Sequence, residues 1–422
     1  MSDTADEVDI VSQKRSGRAF REVQFDPDFQ GPLGGLRVID LSRVLAGNMI
    51  SLQLADYGAE VIKVESPDCG DPLRDWLVDG HSLSWKVYGR NKKSLTLNLR
   101  MEAAKDVLLK LVRASDVFIE NYRPGTLEKM GLGPDILMAT NPELIVVRVS
   151  GFGQTGPYRE FPGFGTLIEA MSGFAYRNGF PDREPVLPPI HLADMVTGLY
   201  GAMATLIALR SRENGECSGQ VIDMSLLEPA FSILGPEAAW HQVTGQTRDR
   251  VGSRSNTAAP RNVYRTKDGK WLAMSGSTQS LAARIFKSVG RADMIDDPRF
   301  STNQARLDHR EEIDEIIGGW IGERKRDECL EIFREFGATV APVNDISDIM
   351  EDPHFREREI LITAPDAELG SLPMHNIVPR LSETPGGFTC PAPKLGEHNS
   401  EILKMLGYSV IDIDELTREG CL

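Results

Sequence analysis

The residues best suited to do chemistry lie in His191-Leu192-Ala193-Asp194-Met195-Val196-Thr197-Gly198. Asp194 falls near the start of a segment that reads as a helix of small residues running to Arg212. A helix N-terminus favours the ionised form of a carboxylate, which is its nucleophilic form. The same position also suits a helix cap, where aspartate is common. Gly198 and Gly201 remove side-chain bulk from this helix and leave room for close packing or for a ligand.

Three other segments have the composition of a binding site. Arg90-Asn91-Lys92-Lys93 puts three cations in four residues of a chain whose net charge is −15. Such a cluster can hold phosphates by charge-assisted hydrogen bonds, and its alternative is a solvated turn. Glu120-Asn121-Tyr122-Arg123-Pro124 offers an amide from Asn121 and, from Tyr122, a flat surface for an adenine or a pantetheine arm. Its alternative is a plain strand-to-helix turn with Pro124 near the helix start. The run from Val149 to Pro157 is rich in glycine but has neither the GxGxxG spacing nor the lysine of a phosphate loop. Its glycines let backbone N–H groups approach an anion, which makes Gly151, Phe152, Gly153 and Gln154 candidates for an oxyanion or substrate contact. A tight loop is the alternative.

These residues need a frame. Leu36–Leu41, Ala59–Val64, Val117–Glu120 and Leu144–Val149 read as buried strands, and Met49–Tyr57 and Ala103–Arg113 as helices between them. Alternation of this kind predicts an α/β fold, with a parallel sheet covered by helices on both faces. Ligands in such sheets sit at the carboxyl ends of the strands, which is where the candidates above fall. The boundaries read as an arm over 1–34, a large domain over 35–227, a smaller α+β domain over 228–345 and a C-terminal segment over 346–422. The smaller domain is marked by a hairpin from Val263 to Met274, with Asp268-Gly269 in its turn.

Composition narrows the function. Hydrophobic residues make up 41% and charged residues 26% of the 422, as in ordinary globular proteins. The acidic balance argues against nucleic acid or an anionic membrane as the main partner. Met1–Asp9 has no basic or apolar signal region, and no uninterrupted apolar run reaches membrane-spanning length. The five cysteines form no CxxC pair, and the seven histidines no HExxH. Reduced thiols, a cytoplasmic location and no metal site are therefore expected.

In order and spacing, these segments together resemble the class III CoA-transferases, the family of formyl-CoA and carnitine CoA-transferases. The likeness includes Gly34–Leu41, Gly58–Glu65, Asn91–Ser94, Glu120–Gly125, Ser150–Gly153 and Ala193-Asp194. It returns in Leu395-Gly396-Glu397-His398-Asn399. The resemblance implies a Rossmann-like large domain joined by the returning C-terminal tail, and an interlaced dimer or a heteromer with a related subunit. It implies that Asp194 is the covalent nucleophile. CoA contacts then fall on Val44, Ala46, Asn91, Lys92, Lys93, Asn121, Tyr122 and Lys129, with Glu397 and His398 as substrate contacts or helix-end residues. No tightly bound cofactor is implied, because acyl-CoA and a carboxylic acid are the substrates.

Two departures bear on the substrate. Ala46-Gly47-Asn48 replaces the family's Ala-Gly-Pro, and Arg254–Pro260 replaces the glycine run of formyl-type members. The resemblance points to succinyl-CoA as donor and, from Tyr264–Met274, to a larger acceptor of benzylsuccinate or carnitine type. The same fold also hosts 2-methylacyl-CoA racemases, whose acid/base histidine is replaced here by Phe164. A CoA-binding subunit without activity is a third reading, against which Asp194 speaks.

Overall fold

A computed structural model describes residues 19–422; most of the arm expected over 1–34 lies outside them. Six strands form the central sheet: β1 (Arg37–Asp40), β2 (Glu60–Glu65), β3 (Lys92–Thr96), β4 (Val117–Glu120), β5 (Ile145–Ser150) and β6 (Gln220–Ser225). Their order is β3-β2-β1-β4-β5-β6, and every pairing is parallel. This is the doubly wound dinucleotide-fold order, with its switch point between β1 and β4.

Consecutive strand residues face opposite ways, so a strand buried on both faces reads as an unbroken apolar run. Ile39, Ile62, Phe118 and Val146 pack with Leu108 and Leu111 of one helical layer. Val38, Val61, Val117 and Val147 pack with Ile50, Leu54 and Leu209 of the other. The helices that matter for the site are α1 (Ala46–Ala55), α2 (Glu102–Arg113), α3 (Gly165–Met171), α4 (Leu192–Glu213) and α5 (Asn399–Met405).

The contact between α1 and α4 settles the two glycines. A Cβ on Gly198 would come within 2.5 Å of the Met49 side chain, and one on Gly201 within 2.4 Å of Ile50. Close helix packing, not a ligand, accounts for both. By length and composition α4 could also span a membrane; here it packs on α1 through this stripe and leaves Leu199, Met203 and Ile207 exposed.

The chain divides into two compact units. The larger holds the sheet and comprises the described residues up to Phe174, then Leu187–Pro236 and Arg356–Leu422. The smaller comprises Ala175–Val186 and Glu237–Phe355. Its antiparallel sheet, β7 (Arg261–Arg265), β8 (Trp271–Ser275) and β9 (Val340–Pro342), covers a core of Leu272, Phe286, Ile317 and Phe333. Gly269 takes φ +78° at the expected turn between β7 and β8. Tyr264 is buried there and donates its hydroxyl to Asp314 at 2.6 Å, and Arg254 pairs with the same carboxylate at 2.7 Å.

One strand begins earlier than its sequence suggests. β3 starts at Lys92, inside the basic run Arg90–Lys93 that reads as a turn or a phosphate site, and Lys92 pairs with Val61 of β2. The basic run is therefore part of the sheet. The Lys92 ammonium is fully buried, 3.0 Å from the Asn48 side chain and 3.5 Å from Asp40. Lys63, also fully buried, lies 3.3 Å from Asp40 and 3.1 Å from Asp71. Burial alone would raise the Asp40 carboxyl, but the two ammoniums beside it hold it well below the usual carboxylate range. Burial lowers Lys92 to about 8 against the pull of Asp40.

Candidate active site

The crevice opens where the loops after β1 and β4 part, at the switch point. A cavity of about 790 Å³ is lined by Arg43–Ala46, Asn121–Pro124, Val149–Gly151, Phe161–Thr166, Glu169, Leu187–His191 and Asp194. A second cavity of about 240 Å³ shares Arg43, Pro72 and Tyr122 with it and reaches Ser66, Cys69 and Arg100. Asn121 spans the mouth of the crevice. Its amide accepts the Arg43 N–H and donates to the Arg43 carbonyl, each at 2.8 Å. The Arg43 guanidinium lies 4.7 Å from the centre of the Tyr122 ring.

Val44 holds a left-handed backbone, φ 65°, which a β-branched residue adopts only when its surroundings enforce it. Asp71 accepts its N–H at 3.0 Å and Asn48 donates to its carbonyl at 2.7 Å. Asn48 also donates to Asp71 and accepts from Lys92. The residue that replaces the family's proline is thus the link between the strained loop and the buried charges beneath it.

Asp194 is the third residue of α4 and half-buried on the cavity wall. It does not cap its helix. His191 holds the cap position without making a side-chain bond, and the Ala193 N–H is taken by Glu169 Oε1 at 3.1 Å. A Cβ on Gly165, the first residue of α3, would come within 2.4 Å of the Asp194 carboxylate, so that glycine makes the space the carboxylate occupies. Burial pushes the Asp194 carboxyl up to about 6, with His191 opposing the rise and Glu169 adding to it. His191 stacks on Trp76, ring centres 5.3 Å apart.

Val44, Ala46, Asn121, Tyr122, Gly151 and Asp194 are all brought to the cavity. The remaining candidates are not. Asn91 is buried, with its amide on Asp56 and on the chain at Gly387 and Thr389. Lys92 is the buried cation described above. Lys93 joins Glu60 at 2.8 Å and Glu401 at 2.6 Å. These three hold the sheet and its edge together, and none of them lines either cavity. Lys129 is exposed at the end of a short helix and lines neither cavity.

The glycine loop is also corrected in part. Gly151 and Gly163 pass backbone against backbone, and a Cβ on either would lie 2.5 Å from the other's Cα. The Gly153 N–H bonds to Ser150 and the Gln154 N–H to Asp223, so neither faces an oxyanion. Phe152 packs with Tyr158 and Phe161 in an aromatic cluster. Glu397 and His398 lie along the open edge of β3, where His398 accepts the Ser94 N–H at 3.2 Å and Glu397 the Lys394 N–H at 2.7 Å. His398 holds the cap position of α5 and covers the β3 edge, while Glu397 bonds within its own turn.

Sequence reasoning missed Glu169, Arg43, Arg100 and Arg159, all of which line the cavities. Arg43 had a usable signal, a cation two residues after the apolar run Leu36–Leu41 that reads as a buried strand. Glu169 had none beyond its place in an otherwise apolar helix.

The profile of CoA-transferase family III matches residues 33–399. The chain is 40% identical over 386 residues to the succinyl-CoA–D-citramalate CoA-transferase of Chloroflexus aurantiacus, covering 90% of this chain and 96% of that one. It is 42% identical to the beta subunit of the succinyl-CoA–L-malate CoA-transferase of the same organism, over 91% and 96% of the two chains. A CAIB/BAIF family protein from Brucella suis has the same fold, with a TM-score of 0.79 and 33% identity over 90% of this chain and all of that one. The uncapped Asp194 carboxylate seated beside Gly165 thus lies at the switch-point crevice of a chain that belongs to CoA-transferase family III.

Proposed function

We propose that the protein moves CoA from succinyl-CoA to a small hydroxylated dicarboxylic acid through acylation of Asp194. The observation that carries this reading is the Asp194 carboxylate itself. It is half-buried on the cavity wall, uncapped, and held above its ordinary pKa in the space left by Gly165.

The steps balance without metal, redox change or net proton transfer. An Asp194 oxygen attacks the thioester carbon; the C–S bond breaks and its electron pair leaves with CoA as the thiolate. The thiolate then attacks the aspartyl carbon of the mixed anhydride, and the C–O bond breaks to free succinate. The acceptor carboxylate attacks the resulting aspartyl thioester and expels the thiolate again. The thiolate attacks the acceptor's carbonyl carbon, which releases Asp194 and the new acyl-CoA. Orientation of bound groups contributes on the order of 7–11 kcal/mol to such a sequence. The joined cavities can hold CoA with its anionic end toward Arg43 and Arg100. Arg123 and Arg159 at the larger cavity suit the distal carboxylate of a dicarboxylic acid. The names of the relatives favour succinyl-CoA with citramalate or malate over a benzylsuccinate or carnitine acceptor.

Assembly enters the same reading. Leu199, Tyr200, Met203, Leu206 and Ile207 leave an apolar face on α4, which a second copy or a related subunit would cover. Purified alone and given succinyl-CoA, the protein should form malyl-CoA or citramalyl-CoA from the matching acid. Hydrolysis without exchange, or no reaction across a panel of dicarboxylates, would contradict the proposal. Gly165→Ala should lower the exchange rate about 10²-fold by displacing the carboxylate, with acyl-CoA binding retained; a near-normal rate would remove Gly165 from the site.

A further inference from the structure

We infer that Glu169 is a positioning residue for Asp194: its buried carboxylate pins the first turn of α4 through the Ala193 N–H and keeps a fixed negative charge beside the nucleophile. This rests on the reading that Asp194 is acylated. Glu169 is 4% exposed and lies on the wall of the same cavity. It reaches across from α3 to the start of α4, where Oε1 accepts the Ala193 N–H at 3.1 Å. The first N–H groups of a helix have no partner within it and draw in any nearby carboxylate. Glu169 satisfies the donor next to Asp194 and so leaves Asp194 free to face the cavity.

The charged groups that face Asp194 are Glu169 from α3 and His191 from the cap position of α4. Those on the other elements packed on α4 are engaged elsewhere. Arg148 of β5 pairs with Glu120 and Glu128, Asp223 of β6 accepts the Gln154 N–H, and Glu228 accepts from Ser225. α1 (Ala46–Ala55) carries no charged residue. The carboxylate of Glu169 thus adds to the effect of burial, and together they keep Asp194 more basic than an ordinary aspartate. A more basic carboxylate is the better nucleophile once ionised.

The test is the pH dependence of Asp194 acylation by succinyl-CoA in a single turnover, read by mass spectrometry of the intact protein. Glu169→Gln keeps an oxygen for the Ala193 N–H and removes the charge. Wild type should lose acylation as pH falls through about 6, and Glu169→Gln should move that midpoint down by about one pH unit. Glu169→Asp keeps the charge, so it should leave the midpoint near the wild-type value while slowing the reaction. An unmoved midpoint in Glu169→Gln, with its adduct still formed, would overturn the inference alone. Failure of wild type to form any adduct would overturn the nucleophile assignment and this inference with it.

Discussion

Asp194→Asn should fold, bind acyl-CoA with unchanged affinity and lose CoA exchange by at least about 10³-fold. The amide has the shape of the carboxylate and fits the gap beside Gly165, but it cannot attack a thioester as an anion. The same substitution should not destabilise the protein at neutral pH. A carboxyl raised from 3.8 to about 6 by burial binds its proton more tightly when folded. Its contribution to stability is therefore present below the unfolded value and is lost as pH rises to about 6. Above that pH the ionised group is a cost, which asparagine removes. Tm at pH 7.5 should be equal to or higher than wild type, and the gain should vanish toward pH 4. Exchange within about tenfold of wild type would end the covalent role of Asp194.

The second large effect concerns the sheet beneath the site. Asp40→Ala takes a carboxylate from two buried ammoniums, Lys63 and Lys92, which lie 3.3 and 3.5 Å from it; Lys63 keeps Asp71, and Lys92 is left with Asn48 alone. Removing one partner of a buried ionic cluster costs about 3–5 kcal/mol, far more than a surface pair. Urea unfolding should read a loss of that size, or the variant should fail to accumulate. Replacing Asp40 together with the ammonium that depends on it, Asp40→Leu with Lys92→Met, should recover part of the loss, because Lys63 keeps Asp71 at 3.1 Å and no unpaired ammonium is left at position 92. The double variant is also expected to loosen the Val44 turn, since Lys92 bonds Asn48 and Asn48 holds the Val44 carbonyl. An Asp40→Ala loss below about 1 kcal/mol would mean that water reaches the cluster.

These two sites mark how far the sequence could be read. The strands after Leu36, Ala59, Val117 and Leu144 were legible because each is an apolar run buried on both faces. The position of Asp194 at the start of a helix was legible from the glycines that follow it. Lys92 and Lys93 read as cations for a ligand because a charge cluster normally lies in water; the register puts Lys92 opposite Val61, on the sheet face that carries Lys63 and Asp40, and its ammonium reaches to 3.5 Å from Asp40. A clue was present: Asp40 and Lys63 each interrupt an apolar run at matching positions, and β1 pairs them directly. For His398 the resemblance leaves a substrate contact and a helix-end residue open, and it is the fold that sets its ring against the Ser94 N–H at the edge of β3. Glu169 could not be found at all, since its meaning depends on a helix 24 residues away in sequence. Contacts of that separation leave no periodic trace.

Acylation of Asp194 is the central claim, and trapping tests it most directly. The protein is mixed with succinyl-CoA, reduced with borohydride and digested, and the peptide containing Asp194 is sequenced by mass spectrometry. The account predicts homoserine at position 194, the product of reducing an aspartyl thioester, and its absence from Asp194→Asn. An unmodified Asp194 during active exchange, or homoserine formed from another aspartate, would contradict it.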